Sequence, residues 1–320
     1  GEIIGLNFTD LINSKKYQIK SKVVINATGV FAEEIIRMDQ PKIEKMIQPS
    51  QGVHIVLERR FLKSKHAILI PQTSDGRVLF AVPWKNYVVV GTTDTHVKKA
   101  SEEPKALNEE IDFILKNAGK YMSVKPKRDD IKSVFAGLRP LAATSNKQST
   151  KEVSRSHKID ISPSGLISVL GGKWTTYRKI AEDALNTAIS INKLKKKKCK
   201  TERTKLFGFK RNVSWSDPMH VYGSMKKKVE SLGGVYDNKS LSKKFYISNN
   251  IIEWSIIHEM ALTVEDILAR RTRCVFLDSK ESKRISPVVA QKMADVLGED
   301  DKWIDAELKK FNKLIKNYIV

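Results

Sequence analysis

The sequence predicts a mixed α/β (α+β) protein, in which an α/β part with an antiparallel sheet precedes an all-helical C-terminal part. Three observations predict this class. Residues 23–27 form an apolar, β-branched run that a helical pattern follows, and residues 48–96 alternate short apolar strands with turns. Beyond residue 215, apolar residues recur at spacings of three and four. The sheet type therefore changes after the first strand.

The individual elements follow from the local patterns. Apolar stretches flanking the polar turn 13–16 predict a hairpin within residues 1–20, and the run 23–27 reads as a buried strand of a parallel sheet. An Asp-Gly pair at 75–76 predicts one tight turn of the antiparallel meander. The remaining predicted elements are helices at 31–38, 104–122, 174–191, 251–270, 288–297 and 302–318, and strands at 131–138 and 166–170.

The lysine-rich stretch 193–200 predicts a solvated linker, and it places a domain boundary at about residue 205. We therefore predict two domains, at residues 1–205 and 206–320. The hydrophobic share of 41% suits a folded protein rather than a disordered one.

The net charge is +22, from 58 Lys and Arg against 36 Asp and Glu. Such an excess suits binding to nucleic acid or to an anionic membrane surface. It equally suits a chain that is rich in Lys, Asn and Ile throughout, which is the explanation we favour, with attraction to anionic surfaces as a secondary consequence. Because no aromatic residues interleave the lysine run and no nucleic-acid motif occurs, we predict no nucleic-acid partner.

No run approaches the ~18 apolar residues of a transmembrane helix. The chain opens at Gly1 without an initiator Met or a signal-peptide pattern, which indicates a fragment or a trimmed chain. Cys199 and Cys274 lie far apart and away from any ligand set, so neither a disulfide nor a metal site is predicted, and a reducing cytoplasm fits.

One motif carries chemistry most clearly: the glycine turn, Gly171 and Gly172, directly after an apolar strand and before a helix. Glycines allow a sharp turn and close approach to a ligand, and the helix start presents unpaired N–H groups. An ordinary strand-to-helix turn explains the motif equally well by itself. Two arginines at strand ends, Arg139 and Arg155, strengthen the reading as an anion-binding pocket, because guanidinium groups grip phosphate or carboxylate through paired hydrogen bonds.

Two further signals are weaker. His54 lies in a strand that otherwise reads as buried; a satisfied core histidine is the commoner case, and an imidazole that faces a substrate hydroxyl is the functional alternative. Thr28 and Gly29 follow a strand end where small residues allow close approach of a pyrophosphate or ribose. The usual partner of such a strand end, GxGxxG, is absent from the 320 residues.

Together these motifs resemble the successive blocks of FAD-dependent (aerobic, quinone-linked) glycerol-3-phosphate dehydrogenases, within the D-amino-acid-oxidase-like flavoprotein superfamily. The resemblance spans about residues 23–311, and its most specific block is TVEDILARR, at 263–271. The blocks that carry it are INATG (25–29), PSQGVH (49–54), VGTTD (90–94), GLRPL (137–141), GGKWTTYR (171–178) and EMALTVEDILARR (259–271).

The resemblance implies an FAD-dependent oxidation of sn-glycerol 3-phosphate to dihydroxyacetone phosphate, with electrons passed to a quinone or to oxygen. It implies a cytoplasmic enzyme, and it is compatible with peripheral attachment of this enzyme to the inner face of the membrane. Arg139 and Arg155 would bind the substrate phosphate, while His54 and Lys173 would be the catalytic residues. Contacts with FAD would come from Ala27, Thr28, Gly29, Gly171, Gly172, Lys173, Trp174 and Thr175.

This sequence departs from the family pattern at its start. The family begins with a βαβ unit that carries GxGxxG and a further substrate-binding arginine, and the 320 residues contain neither. The resemblance thus implies an incomplete FAD-binding Rossmann-like domain at 1–205, with an antiparallel substrate-binding sheet, and a helical domain at 206–320. These 320 residues alone would bind FAD poorly. Two alternatives stay open: a related flavoprotein whose arginines bind a carboxylate, and a basic, non-enzymatic protein that binds nucleic acid or membrane.

Overall fold

A computed structural model describes residues 1–143, 157–192, 194–232 and 238–320. The strands are β1 (Gly5–Thr9), β2 (Lys16–Lys20), β3 (Ile25–Asn26), β4 (Ile47–Glu58), β5 (Ile68–Ile70), β6 (Leu79–Trp84), β7 (Tyr87–Gly91), β8 (Thr95–His96), β9 (Ser133–Ala142), β10 (His157–Ile161) and β11 (Ile167–Gly171). The α-helices are α1 (Ala32–Asp39), α2 (Asn108–Ala118), α3 (Tyr177–Ile191), α4 (Lys226–Glu230), α5 (Asn249–Glu259), α6 (Cys274–Leu277), α7 (Ser279–Leu297) and α8 (Asp301–Ile315).

The chain forms two compact units, each built from three segments. The first comprises Gly1–Gly52, Asp94–Pro104 and Gly137–Thr204, and the second comprises Val53–Thr93, Lys105–Ala136 and Lys205–Val320. The mixed α/β class with a helical C-terminal region is confirmed, since the described residues after 205 contain helices and no strand. The functional division at residue 205 stays a prediction.

The first unit contains the predicted hairpin of β1 and β2 and a three-stranded sheet in the order β10-β11-β3. As predicted, the strand after the hairpin is parallel to its neighbour, because β3 pairs with β11 in that sense. The predicted run 23–27 shortens to two residues at the sheet edge, where Ile25 is 37% exposed, so burial on both faces is wrong for this strand. Its parallel partner, β11, holds the buried residues Ile167 and Leu170.

The second unit contains the predicted antiparallel meander, in which β5, β6, β7 and the later part of β4 pair in sequence. One face of this sheet packs on α2, because Val53, Ile55 and Leu57 alternate with residues that point the other way. The apolar side chains of α2 that complete this core are Ile111, Ile114, Leu115 and Ala118.

The predicted helix 251–270 is wrong as a single element. Helix α5 ends at Glu259, because Met260 adopts the left-handed conformation with φ of 57°. A new turn starts at Thr263, whose backbone N–H and hydroxyl both donate to the Asp266 carboxylate, at 3.0 and 2.9 Å. The segment Asp266–Arg271 is then a π-helix. The TVED part of the family block therefore acts as a helix start.

None of the described helices is long and apolar enough to span a membrane. The residues 195–200 of the lysine-rich stretch are exposed and lie outside helices and strands, as the predicted linker requires, and Lys193 falls outside the described residues. Both cysteines are free: Cys199 is exposed and Cys274 is buried.

The start of α7 yields a prediction for stability against pH. Hydrogen bonds from Arg284 lower the pKa of the Glu281 carboxyl to about 2. A group with a depressed folded-state pKa stabilises the fold above its unfolded pKa of roughly 4.3 and ceases to do so as pH falls towards 2. We expect Glu281→Gln to lower the free energy of unfolding by about 1 kcal/mol at neutral pH and by progressively less below pH ~4.

Urea unfolding at neutral and acidic pH measures this difference. Exposed Glu299 provides the matched control, and Glu299→Gln should change neither midpoint. An equal loss of unfolding free energy for Glu281→Gln at both pH values would contradict this prediction, because the effect would then come from packing and not from the charge of Glu281.

Candidate active site

The candidate site begins at the glycine turn that follows β11. Gly171 and Gly172 both have positive φ, of 69° and 90°, a region that residues with a Cβ rarely adopt. Lys173 is extended, with φ of −122°, and a 3₁₀ turn at Trp174–Thr176 leads directly into α3. The hydroxyl of Thr176 donates to the Lys173 carbonyl at 3.0 Å. The two glycines thus turn the chain sharply, and Lys173 and Trp174 stand at the beginning of the 3₁₀ turn that leads into the 15-residue helix α3.

The φ of 90° favours glycine at position 172, and close packing behind this residue adds to the preference. A Cβ at residue 172 would lie 2.6 Å from Ile180 Cδ1 and 3.3 Å from His157 Cβ. His157 Nε2 also lies 3.1 Å from Asp183 Oδ2, which joins β10 to α3. The turn is therefore held between a strand and a helix that approach each other closely.

The end of β3 forms a second edge of the site. The Asn26 side chain is buried and donates to the carbonyl of Ala32 at 2.9 Å, while its oxygen accepts a hydrogen bond from the Thr28 hydroxyl at 2.8 Å. These bonds fix the segment in which Gly29 turns with φ of 63°. Because β3 and β11 are parallel, the segments that follow them leave the same edge of the sheet.

A cleft of about 810 Å³ lies along this edge, entirely within the first unit. It is within the usual size range for small-molecule sites, and its wall is mainly apolar. The lining residues are Ile25, Ala27, Gly29, Leu138, Arg139, Pro140, Leu141, Val169, Gly171, Gly172, Lys173, Trp174, Tyr177, Ile180, Ala181, Ala184 and Leu185.

Arg139 supplies a cation to the cleft from β9. Its Nη1 lies 3.8 Å from Asp94 Oδ1, and the same carboxylate oxygen accepts a short hydrogen bond from the Ser50 hydroxyl. The guanidinium side chain is 31% exposed. Asp94 therefore anchors one end of a partly exposed guanidinium.

Trp174 is the most exposed aromatic residue of the cleft, at 85%, and its indole stacks on the Tyr177 ring at a centroid distance of 5.3 Å. Lys173 next to it is exposed as well. The cleft thus combines cationic groups, glycine backbone and apolar surface, which suits an anionic ligand with a large ring system.

The structure brings together most of the site residues that the sequence singles out. Ala27, Gly29, Arg139, Gly171, Gly172, Lys173 and Trp174 all line the cleft. Thr28 and Thr175 are exposed neighbours that do not line it. Arg155 lies outside the described residues, and His54 belongs to the second unit.

Sequence reasoning missed the apolar wall that α3 provides. Tyr177, Ile180, Ala181, Ala184 and Leu185 line the cleft along one face of this helix. Their spacing of three and four residues was visible in the sequence as an apolar stripe. The exposure of Leu185, at 56%, shows that this stripe is not covered by the rest of the unit.

The glycine turn permits a matched pair of substitutions. Gly165 and Gly172 both have φ of 90°, but a Cβ at residue 165 meets no atom within 4 Å. Both Gly→Ala changes should cost about 1 kcal/mol of stability from backbone strain. We expect only Gly172→Ala to push aside the Ile180 side chain, which lines the cleft, and so to lower the FAD content of the purified protein when an N-terminal βαβ unit precedes these 320 residues. Flavin absorbance per mole of protein measures this, and equal flavin content in the two variants would contradict a ligand role for the turn.

Comparison with known protein families yields two matches. A family model described as FAD dependent oxidoreductase matches residues 4–178. A second, described as the C-terminal domain of alpha-glycerophosphate oxidase, matches residues 167–304.

Individual relatives agree with these models. Mitochondrial glycerol-3-phosphate dehydrogenases of Mesocricetus auratus and Homo sapiens are 33% and 32% identical to the chain, over 98% of its length and 46% of theirs. The chain therefore spans about half the length of the curated relatives that it matches. The X-ray structure of the glycerol-3-phosphate dehydrogenase from Bacillus halodurans, complexed with FAD, matches 100% of the chain and 67% of its own, with 25% identity and a TM-score of 0.82. The family resemblance read from the sequence is confirmed.

Proposed function

Because the chain belongs to the FAD-dependent oxidoreductase family, we propose that it serves the FAD-dependent oxidation of sn-glycerol 3-phosphate to dihydroxyacetone phosphate. The observation that supports this most directly is the composition of the cleft in the first unit. There the end of β3, the glycine turn and Arg139 line one apolar cavity. The match of residues 167–304 to the C-terminal domain of alpha-glycerophosphate oxidase favours a glycerol phosphate over other substrates.

The residues of the cleft fit part of an FAD molecule. Three lining glycines with positive φ leave the backbone accessible to a phosphate or ring edge, and exposed apolar side chains such as Leu185 suit the flavin ring. Lys173 adds a positive charge just before the 3₁₀ turn that leads into α3. Bound FAD would supply the chemistry that no side chain can, namely acceptance of a hydride from the substrate carbon.

The side chains of this chain would bind and orient the substrate. Arg139, anchored on Asp94, presents a guanidinium for the substrate phosphate, and we assign Arg155 to the same phosphate. Lys173 would stabilise the negative charge that develops on the flavin ring. The contacts with FAD that we propose come from Ala27, Thr28, Gly29, Gly171, Gly172, Lys173, Trp174 and Thr175.

We propose that His54, in the sheet of the second unit, accepts the proton of the substrate hydroxyl. Its side chain is partly exposed, as a proton acceptor must be, although the strand around it is buried. An imidazole titrates near neutral pH and is the side chain most often used for this task. We propose the same division of labour for the domains: residues 1–205 bind FAD and substrate, and residues 206–320 form a helical domain.

We further propose a quinone as electron acceptor and a cytoplasmic enzyme in peripheral contact with a membrane. Supporting this contact, Leu206, Phe207 and Trp215 are between 73% and 87% exposed in a segment that also contains Lys205, Lys210 and Arg211. Aromatic side chains and cations together favour an anionic lipid surface. Binding to vesicles that contain anionic lipid should fall when Phe207 and Trp215 are replaced by serine, and binding unchanged by both replacements would argue against this segment.

A substrate panel tests the proposed activity. The protein to use is the extended protein, meaning these 320 residues preceded by an N-terminal βαβ unit with the GxGxxG fingerprint. With a reducible dye as acceptor, glycerol 3-phosphate should be oxidised, glycerol should be oxidised only slowly at high concentration, and D-amino acids should not be oxidised. Turnover of a D-amino acid alone would point to the related flavoproteins that bind a carboxylate. A protein without flavin that binds DNA, with affinity falling steeply as salt rises, would point to the basic binding protein instead.

A further inference from the structure

The surroundings of His54 in the second unit contain two contacts that the proposed function leaves unexplained. His54 on β4 lies directly opposite Gly91 on β7 in the antiparallel register, and Gly91 in turn lies opposite Phe80 on β6. Directly opposed residues of an antiparallel sheet place their side chains on the same face. The imidazole therefore stands next to a position that has no side chain.

Gly91 leaves the space that the imidazole occupies. A Cβ at residue 91 would lie 2.4 Å from His54 Cδ2, 2.8 Å from His54 Cγ and 2.8 Å from the backbone oxygen of Val53. The nearest ring atoms are both carbons, so the imidazole turns its carbon edge towards Gly91 and its two nitrogens lie farther from this Cβ position. Any other residue at position 91 would bring its Cβ against the imidazole and the Val53 backbone, so the ring would lose its present position.

Phe135 on β9 contacts the imidazole as well. The ring centroids of His54 and Phe135 lie 5.2 Å apart with an interplanar angle of 15°, which is a stacked arrangement. Strand β9 pairs with β4, so Phe135 approaches from the neighbouring strand. The stacked Phe135 ring fixes the plane of the imidazole. The missing side chain at Gly91 leaves the space that the imidazole occupies within that plane.

Phe135 is itself held by aromatic residues of the C-terminal region. Its ring meets Phe276 of α6 edge-on, at 5.1 Å and 80°, and Phe276 meets Tyr318 in the same way, at 5.7 Å and 77°. All four rings belong to the second unit. The helical region thus supports the imidazole through a continuous row of ring contacts.

We propose that Phe135 and Gly91 are positioning residues that hold the His54 imidazole in the orientation its proton transfer requires, with Phe276 and Tyr318 as their support. This inference rests on the proposed role of His54. Phe135 and Gly91 would not touch the substrate themselves. Their effect reaches the reaction only through the direction in which the ring nitrogens point.

Kinetics of a double-mutant cycle test the positioning role in the extended protein with FAD bound. Phe135→Leu keeps an apolar side chain but removes the stacked ring, and we expect kcat to fall about 10-fold with KM for glycerol 3-phosphate unchanged. In a His54→Gln background, Phe135→Leu should change kcat no further, because no imidazole remains to be oriented. Additive losses in the cycle would overturn the proposal.

A spectroscopic measurement tests the contact between Phe135 and His54 separately from the proposed role of His54 in proton transfer. The His54 ring-proton resonance, identified by its loss in His54→Gln, should shift in Phe135→Leu because the stacked ring is gone. An unmoved resonance would overturn the contact. If the resonance shifts but His54→Gln leaves kcat intact, the proposal also falls, and the fault lies in the proposed function rather than in the geometry.

Two further variants complete the design. Phe245→Leu makes the same substitution in the core of the same unit, where Phe245 packs on Tyr87 at 6.3 Å, and it should leave kcat unchanged. Gly91→Ala should lower kcat more than Phe135→Leu, because its methyl group collides with the imidazole. A Gly91→Ala protein that folds and retains full kcat would contradict the proposal.

Discussion

Replacing Lys173 by methionine is expected to slow the reduction of bound FAD by glycerol 3-phosphate about 100-fold, the usual cost of losing one preorganised electrostatic contact. Lys173 lines the cleft, is exposed and directly precedes the 3₁₀ turn that leads into α3. Beside the proposed position of the flavin, a cation would favour the state in which negative charge has moved onto the flavin ring. The midpoint potential of the bound flavin should therefore become more negative in this variant, while FAD stays bound through the neighbouring backbone.

Two companion variants separate charge from packing. Lys173→Arg retains the cation and should restore most of the lost rate, although the guanidinium has a different shape. Lys179→Met alters a lysine of α3 that does not line the cleft and bonds Asp183 at 2.6 Å, and it should leave the rate unchanged. A Lys173→Met protein that is reduced at the full rate, with an unchanged potential, would contradict the proposed catalytic role of Lys173.

Replacing Arg139 by alanine is expected to raise KM for glycerol 3-phosphate about 100-fold, because a phosphate loses a charge-assisted, paired hydrogen bond. The place of Arg139 in the wall of the cleft and its ion pair with Asp94, at 3.8 Å, support this role, and the side chain is 31% exposed. Arg139→Lys should recover little of the affinity, since an ammonium group cannot form the paired contact. Steady-state kinetics of the extended protein with a dye acceptor provide both constants.

Glycerol, which has no phosphate, is the internal control for this prediction. Its slow oxidation at high concentration should be the same in Arg139→Ala as in the parent protein, because the substituted side chain has nothing to bind. Arg37→Ala changes an arginine of the same unit that pairs with Glu33 outside the cleft, and it should leave KM for glycerol 3-phosphate unaltered. Equal losses of activity with glycerol and with glycerol 3-phosphate would show that Arg139 maintains the shape of the cleft and does not bind the phosphate.

Local chemistry made much of this fold predictable. The hairpin turn, the meander and the glycine turn each depend on residue types within a few positions, so their patterns predicted them. Position 260 was different: the apolar spacing continues through Met260, and nothing in the residue type indicates its left-handed conformation. The predicted single helix was wrong for that reason.

Contacts between distant segments could not be read from the sequence. The pairing of β3 with β11 joins residues about 142 positions apart and places two separately recognisable motifs along one cleft. The stacking of His54 on Phe135 depends on strand order and register, which alternation of apolar residues leaves open. Sequence therefore supplied most of the candidate residues of the cleft, while their grouping, and the support for His54, required the structure.

The most direct measurement is the visible spectrum of the extended protein before and after anaerobic addition of glycerol 3-phosphate. We predict an oxidised flavin spectrum that bleaches on addition, and a bleaching that requires a far higher substrate concentration in Arg139→Ala. A flavin that remains oxidised with glycerol 3-phosphate would contradict the proposed activity, and so would a protein that binds no flavin.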